Sequence, residues 1–249
     1  MSANVPDGLE VLWGDHPSEK EPTPRAGLTR SRIVRAAIEL ADTHGLEALS
    51  MARVAEHLGF ATMALYRHVR TKKDLLLLML DAASTAPAEL DEPVADWRTG
   101  IERWCRAQWE MLSAHPWVMY VPITGPPVTP GQLGWTDRGL ATLRGTGLSE
   151  AEKASVMLLL GTYMLSTTRL STELGPAASG ESIAAYSELL GDLVDSRRFP
   201  DLRVAVDAGA YDYPRETPEE QRELGYEFGL ARILDGVEAL IRSRRRGRG

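Results

Sequence analysis

Between Ser50 and Val69 (SMARVAEHLGFATMALYRHV) the apolar positions change phase once, at a glycine. Val54, Ala55 and Leu58 fall on one helical face behind Ser50, a residue type that accepts a backbone hydrogen bond at an N-cap. Gly59 supplies the left-handed backbone that a sharp corner needs. Beyond it Ala61, Leu65 and Val69 share a face, while Met63, Tyr66 and Arg67 fall on the opposite side. The pattern predicts two short helices, the second running to Val69 with one side braced and the other turned outwards. That is the geometry of a helix-turn-helix, whose second helix enters the major groove of DNA.

The flanking pattern is helical throughout. Thr29 opens a helix that carries Ile33, Ala36, Ala37, Leu40 and Ala41 on one face and stops at Gly45. Thr71 and Asp74 have the spacing of a capping box and open the apolar run LLLLMLDAA. Val94 to Leu112 reads as an amphipathic helix with Trp97, Ile101, Trp104, Cys105, Gln108 and Met111 on its stripe, ended by His115-Pro116. A breaker-rich loop over 122–134 precedes a helix over 132–144, and the Ser149–Glu152 box opens a long helix to about Leu174. Residues 182–196 read as amphipathic and turn-rich, and 199–215 as irregular and partly mobile. Thr217, Pro218 and Glu220 then start a last helix. With no alternating strand pattern and no fixed-period repeat, the expected class is all-α.

Four segments follow: a flexible N-terminal arm (1–27), a three-helix head with the helix-turn-helix (28–83), a larger helical body (84–242) and a basic tail (243–249). Leu9, Val11, Leu12 and Trp13 in the arm read as a strap on a hydrophobic groove; DNA contact through Lys20 and Arg25 is the alternative. The tail reads as a solvated, disordered end, with auxiliary DNA contact as its alternative.

Charge changes the picture. The net charge of −7 argues against nucleic acid, yet residues 25–74 hold nine Lys/Arg against five Asp/Glu, leaving the remainder with 19 basic and 30 acidic residues. A basic head on an acidic body draws phosphate to the head alone. Lys72 and Lys73 add ammonium groups to the free N–H donors at a helix start, a natural phosphate clamp. The single cysteine excludes an intrachain disulfide and, on the apolar stripe, reads as packing. No run reaches the roughly 18 apolar residues of a membrane span, and the first ten residues carry no secretion-signal pattern, so a cytoplasmic protein is expected. His44, His57, His68 and His115 show no metal-ligand spacing, and no acid/base or nucleophile set converges, so neither metal, cofactor nor enzyme chemistry is expected.

Residues 29–83 resemble the DNA-binding domain of the tetracycline-repressor (TetR) family, above all in Ala64-Leu65-Tyr66-Arg67-His68-Val69 followed by Lys72-Lys73-Asp74-Leu75. The resemblance places the family's base and phosphate contacts on Ser50, Met51, Thr62, Met63, Ala64, Tyr66, His68 and Lys72. Arg53 joins them because it neighbours Ala52, where the tetracycline repressor carries an arginine, and Arg67 because it lies on the outward side. The departure at Ala52 means that the tetracycline operator does not transfer. The family further implies a homodimer on a palindromic operator of double-stranded DNA, released by a small-molecule effector; activation in place of repression stays open, and a helical enzyme or carrier whose basic head is incidental is the competing class. Two apolar faces on the last helix, and mixed ones on 154–170, suit a four-helix interface with two helices from each protomer; an all-internal core is the alternative. Trp104, Gln108, Trp109, Trp117, Tyr120, Met157, Tyr163 and Met164 concentrate adaptable apolar groups with a few polar ones, the composition of a pocket for an apolar or aromatic effector.

Overall fold

The computed structural model describes residues 10–13, 27–123, 125–174, 180–212 and 218–246; the side chains of 10, 11, 180–184 and 218–225 stand outside that description. Among the described residues there are eleven α-helices and no strand: α1 (Glu10–Trp13), α2 (Arg30–His44), α3 (Met51–Leu58), α4 (Thr62–Tyr66), α5 (Lys72–Ala83), α6 (Trp97–Ala114), α7 (Pro130–Thr142), α8 (Glu150–Leu174), α9 (Gly180–Leu193), α10 (Pro200–Asp207) and α11 (Pro218–Arg246). Three 3-10 turns, Leu46–Ala48, Ala88–Asp91 and Pro116–Tyr120, join them. No described helix is long and apolar enough to cross a membrane. The helices form two compact units, residues 1–165 with 243–249, and residues 166–242.

The first unit begins with a local core. Ile33 and Ala37 of α2, Val54 of α3, Leu65 of α4, and Leu75 and Met79 of α5 are fully buried together. Each of these apart from Ala37 contributes on the order of 1.5–3 kcal/mol of burial. The caps fix where the helices start: the Thr29, Ser50 and Thr71 hydroxyls accept from Arg32, Arg53 and Asp74 backbone N–H groups. α4 ends at Tyr66, three residues short of the expected Val69, because Thr71 must be extended to cap α5. His68 and Val69 still donate to the Leu65 carbonyl, so a tight turn delivers Val69 to the core. Of the arm, Leu12 packs on this core and the Trp13 indole N–H donates to the Val128 carbonyl at 2.9 Å, as a strap would; Lys20 and Arg25 lie outside the described residues.

Two helix starts move from their expected positions. α6 begins at Trp97 instead of Val94, since the Asp96 carboxylate caps it by accepting from Arg98 and Thr99 N–H. The Thr99 N–H and hydroxyl, with the Arg98 N–H, hold the Asp96 carboxyl below its ordinary range. α7 begins at Pro130, two residues early, with the Thr129 hydroxyl as cap and proline at the first helical position. α6 and α7 run antiparallel: a Cβ on Gly100 would meet Thr142 at 3.0 Å, and one on Gly139 would meet the Trp104 ring at 3.0 Å. The Ser149–Glu152 box forms in both directions at the start of α8. Its carboxylate also receives Arg244, and the Ser149 N–H with that guanidinium lowers Glu152 to about 2. The tail is therefore helical as far as Arg246, where disorder was expected; the Glu238–Arg242 pair and Arg244–Glu152 hold it.

In the second unit, α9 packs against α10. The Arg203 guanidinium donates to the Gly191 carbonyl at 2.9 Å and pairs with Asp207. Residues 200–207 are thus helical where irregular chain was expected: Pro200 starts the turn and an i,i+4 pair supports it. Residues 182–193 are likewise a regular helix rather than turn-rich chain. Thr217, the expected cap of α11, lies outside the described residues.

Candidate nucleic-acid interface and effector seam

In the helix-turn-helix the inward side chains are buried. Leu65 is fully buried, with Val54, Ala55 and Val69 beside it. Gly59 sits at φ 73°, ψ 30°, and its N–H donates to the Ala55 and Glu56 carbonyls, closing α3 and turning the chain. α4 is thereby held on one side, and Met63 stands 73 % exposed on the other beside exposed Tyr66 and Arg67. Thr62, Ala64 and His68 are half-buried at the rim of that face, while Lys72 and Lys73 stand exposed at the N-terminus of α5. The Arg53 guanidinium donates to the Ala48 carbonyl at 3.2 Å, in the 3-10 turn before α3. Met51 departs from the expectation: its side chain is buried in the core, since position 51 shares the inward face of α3 with Val54 and Ala55. Ser50 spends its hydroxyl oxygen on the cap. Sequence reasoning passed over Phe60, which is partly exposed in the turn with the Arg32 guanidinium 5.6 Å over its ring.

The eight candidate effector residues divide. Trp104 is buried, donates to the Trp135 carbonyl at 2.9 Å and meets the Trp135 ring edge-on at 6.3 Å. The tip of Met157 and the Trp104 ring both abut Gly139, so these two share one seam between α6, α7 and α8. Gln108 is half-buried on α6, and its Oε1 is buried without a hydrogen-bond partner. Met164 is buried, Tyr163 is half-buried, and Trp109 is half-buried with the Arg106 guanidinium 5.9 Å over its ring. Trp117 and Tyr120 go elsewhere. Tyr120 is exposed, and Trp117, 2 % exposed, completes the core of the head. The 3-10 turn after α6 carries Trp117 away from the seam, a displacement that helical periodicity does not register.

That turn makes a junction. Asp42 of α2 accepts from Trp117 Nε1 at 2.8 Å and pairs with His115 Nδ1 at 2.9 Å, so the end of α6 is tied to the first helix of the head. A second tie joins α5 to α7: Asp81 accepts from the Gly131 N–H at 2.7 Å, and a Cβ at position 131 would strike the Asp81 carbonyl oxygen. Neither acid stood out in the sequence, because a lone aspartate on a helix reads as solvated surface. Cys105, buried on α6, has its thiol pushed up to about 12 by burial and the Glu102 charge, which leaves it unreactive packing. A cleft of about 170 Å³ opens beside Trp104 at the foot of α6, between Gly100, Val94 and Thr142. Arg138 closes one edge by a forked pair with Asp91, which lowers that carboxyl.

Comparison with known proteins agrees with this geometry. The sequence profile described as "Bacterial regulatory proteins, tetR family" matches residues 33–79, and that of the "Tetracyclin repressor-like, C-terminal domain" matches residues 63–241. The HTH-type transcriptional repressor DrrR1 of Streptomyces coeruleorubidus is 33 % identical, over 98 % of this chain and 89 % of its own. The class A tetracycline repressor of transposon 1721 from Escherichia coli is 26 % identical over 84 % of this chain and 90 % of its own. Among solved structures, the Streptomyces coelicolor protein ActR in complex with actinorhodin superposes with a TM-score of 0.67 at 28 % identity, covering 85 % of this chain and 99 % of that one.

Proposed function

The chain belongs to the tetR family of bacterial regulatory proteins, and from that premise we propose a homodimeric repressor that an apolar or aromatic effector releases from a palindromic operator. The observation that carries the reading is the exposed face of α4, with Met63 and Tyr66 outermost on a fully buried Leu65. Thr62, Met63 and Ala64 face base edges, where the apolar tips of Met63 and Ala64 suit thymine methyl groups. Tyr66, Arg67, His68, Lys72 and Arg53 hold phosphates on either side, and the Ser50 end of α3 meets the backbone. A regulator of this kind works where the chromosome is, hence in the cytoplasm.

Two heads are needed for a palindrome, spaced by one helical turn of about 34–36 Å or a multiple. Support for a two-fold partner comes from apolar side chains that remain open on α8 and α11: Leu158 is 73 % exposed and Phe228 67 %. A second copy packed against each of these faces would bury them. The effector lies against α6. A ligand that displaces α6 acts on the head through Asp42, which grips His115 and Trp117, and on α5 through Asp81 and α7. Only a ligand that binds the displaced arrangement more tightly releases DNA. ActR, the solved structure described above, is in complex with actinorhodin, which supports a small-molecule ligand for a chain of this fold.

Mobility shift with genomic fragments tests the assignment through Tyr66→Ala and Lys72→Ala. Both variants are expected to bind at least several-fold more weakly with unchanged stability; undiminished binding by both would remove α4 and the start of α5 from the interface.

A further inference from the structure

The seam between α6 and α7 holds two polar atoms that the fold leaves unanswered. Trp135 Nε1 on α7 is a buried donor with no acceptor, and Gln108 Oε1 on α6 is a buried acceptor with no donor. Their positions are linked by the helix register. Gly100 faces Thr142, and one turn on, Trp104 faces Gly139 and donates to the Trp135 carbonyl. Carried one turn further along α6, that register sets Gln108 level with Trp135. A donor and an acceptor thus sit across one antiparallel seam, walled by the Trp104 ring and the Met157 thioether that meet at Gly139.

Leaving such a pair dry is costly, since each unsatisfied buried group forfeits its hydration. Ordered buried waters make about three hydrogen bonds, and this pair supplies one donor and one acceptor. A flat aromatic molecule with a polar edge answers both atoms and also fills the apolar walls. We propose that Trp135 Nε1 and Gln108 Oε1 are the polar anchors of the effector, and that the effector is an aromatic compound carrying a carbonyl acceptor for Trp135 and a hydroxyl donor for Gln108. This deepens the effector-binding part of the proposed function and rests on it. Trp135 is the member that the sequence did not single out, because its ring is indistinguishable from core packing until its N–H is found unpaired.

Three probes of one shape separate the anchors: 7-hydroxyflavone carries both groups, flavone the carbonyl alone, and 2-phenylnaphthalene neither. Titration calorimetry on the full chain is expected to rank them in that order, with about tenfold between neighbours. Trp135→Phe should erase the preference for flavone over 2-phenylnaphthalene and keep the hydroxyl preference. Gln108→Leu should do the reverse. Ratios between probes are read, so a general loosening of the seam in either variant cancels. Equal binding of the probes by the wild-type chain, no binding of any, or ratios unchanged in both variants would overturn the anchor pair. Mobility shift on the same preparations keeps the two ideas apart: a chain that retains genomic fragments but takes no probe sinks the anchors alone. A chain that ranks the probes as expected but binds no DNA sinks the repressor reading and upholds the anchors.

Discussion

The head and the α6–α7 seam are both built around fully buried apolar side chains, yet they treat their polar atoms in opposite ways. In the head Arg30 Nε, at the start of α2, is buried without a partner, but the polar groups of the helix-turn-helix itself are outside or already engaged: Ser50 and Thr71 cap helices, Gly59 closes α3, and Tyr66, Lys72 and Lys73 face water. In the seam a tryptophan N–H and a glutamine carbonyl are buried and left without partners. A phosphate backbone offers the same chemistry at every step, so a finished, rigid surface suits it. A particular small molecule is recognised by groups held ready in a dry site, at some cost to stability while the site is empty.

The largest effect should come from removing the brace of the head. Leu65→Ala deletes a fully buried side chain from a core made of local helices, and about 2–5 kcal/mol of head stability should go with it, visible in thermal unfolding and as lost operator binding. If unfolding is unchanged, the head does not depend on its inward face as described. Asp42→Ala probes the link between the two regions. It strips the acceptor from Trp117, buried in the head core, and should cost about 1–3 kcal/mol. The sharper readout is functional: effector should release the variant from DNA at higher concentration than the wild type, although both bind operator.

Within the seam, Gly139→Ala would place a Cβ at 2.2 Å from the Met157 methyl group and 3.0 Å from the Trp104 ring. Methionine yields more easily than an indole, so a destabilisation of about 1–3 kcal/mol is expected from calorimetric melting, with effector affinity reduced and operator affinity kept. Lys72→Ala should leave melting unchanged and lower the slope of log affinity against log salt by about one. An unaltered slope would mean that Lys72 contacts no phosphate.

The smallest effect concerns acid. Glu152 ionises at about 2 in the folded chain against an ordinary 4.5, so its contribution is present above pH 4.5 and is lost as pH falls towards 2. Glu152→Gln should flatten the fall in stability across that window, in acid titrations followed by circular dichroism. An identical acid limb for both chains would show that the Ser149 and Arg244 contacts do not bear on folding.

How much of this was legible in the sequence follows the same division. Local rules specify the head: an N-cap, a left-handed glycine and an i,i+4 apolar pair act within one or two turns, so Thr29, Ser50, Gly59 and Leu65 stand where their spacing puts them. Met51 was misplaced because a motif alignment carries a role across, whereas burial depends on which side of α3 it lies. The body depends on contacts distant in sequence. Trp117 lies one turn beyond α6, yet the acid that fixes it is Asp42, 75 positions away. Trp135 looked like any core aromatic, and α10 was hidden by the prolines and glycines around it. The helical tail depended on Glu152, 92 positions from Arg244.

The central claim is that the outward side of α4 reads DNA in matched pairs. Sequencing the genomic fragments retained by the purified chain, beside those retained by Met63→Ala, tests it most directly. The account predicts an inverted repeat whose halves lie about 10–10.5 base pairs apart or a multiple of that, with the variant relaxed at the same position in each half. Fragments without a shared repeat, or an identical repeat from the variant, would contradict it.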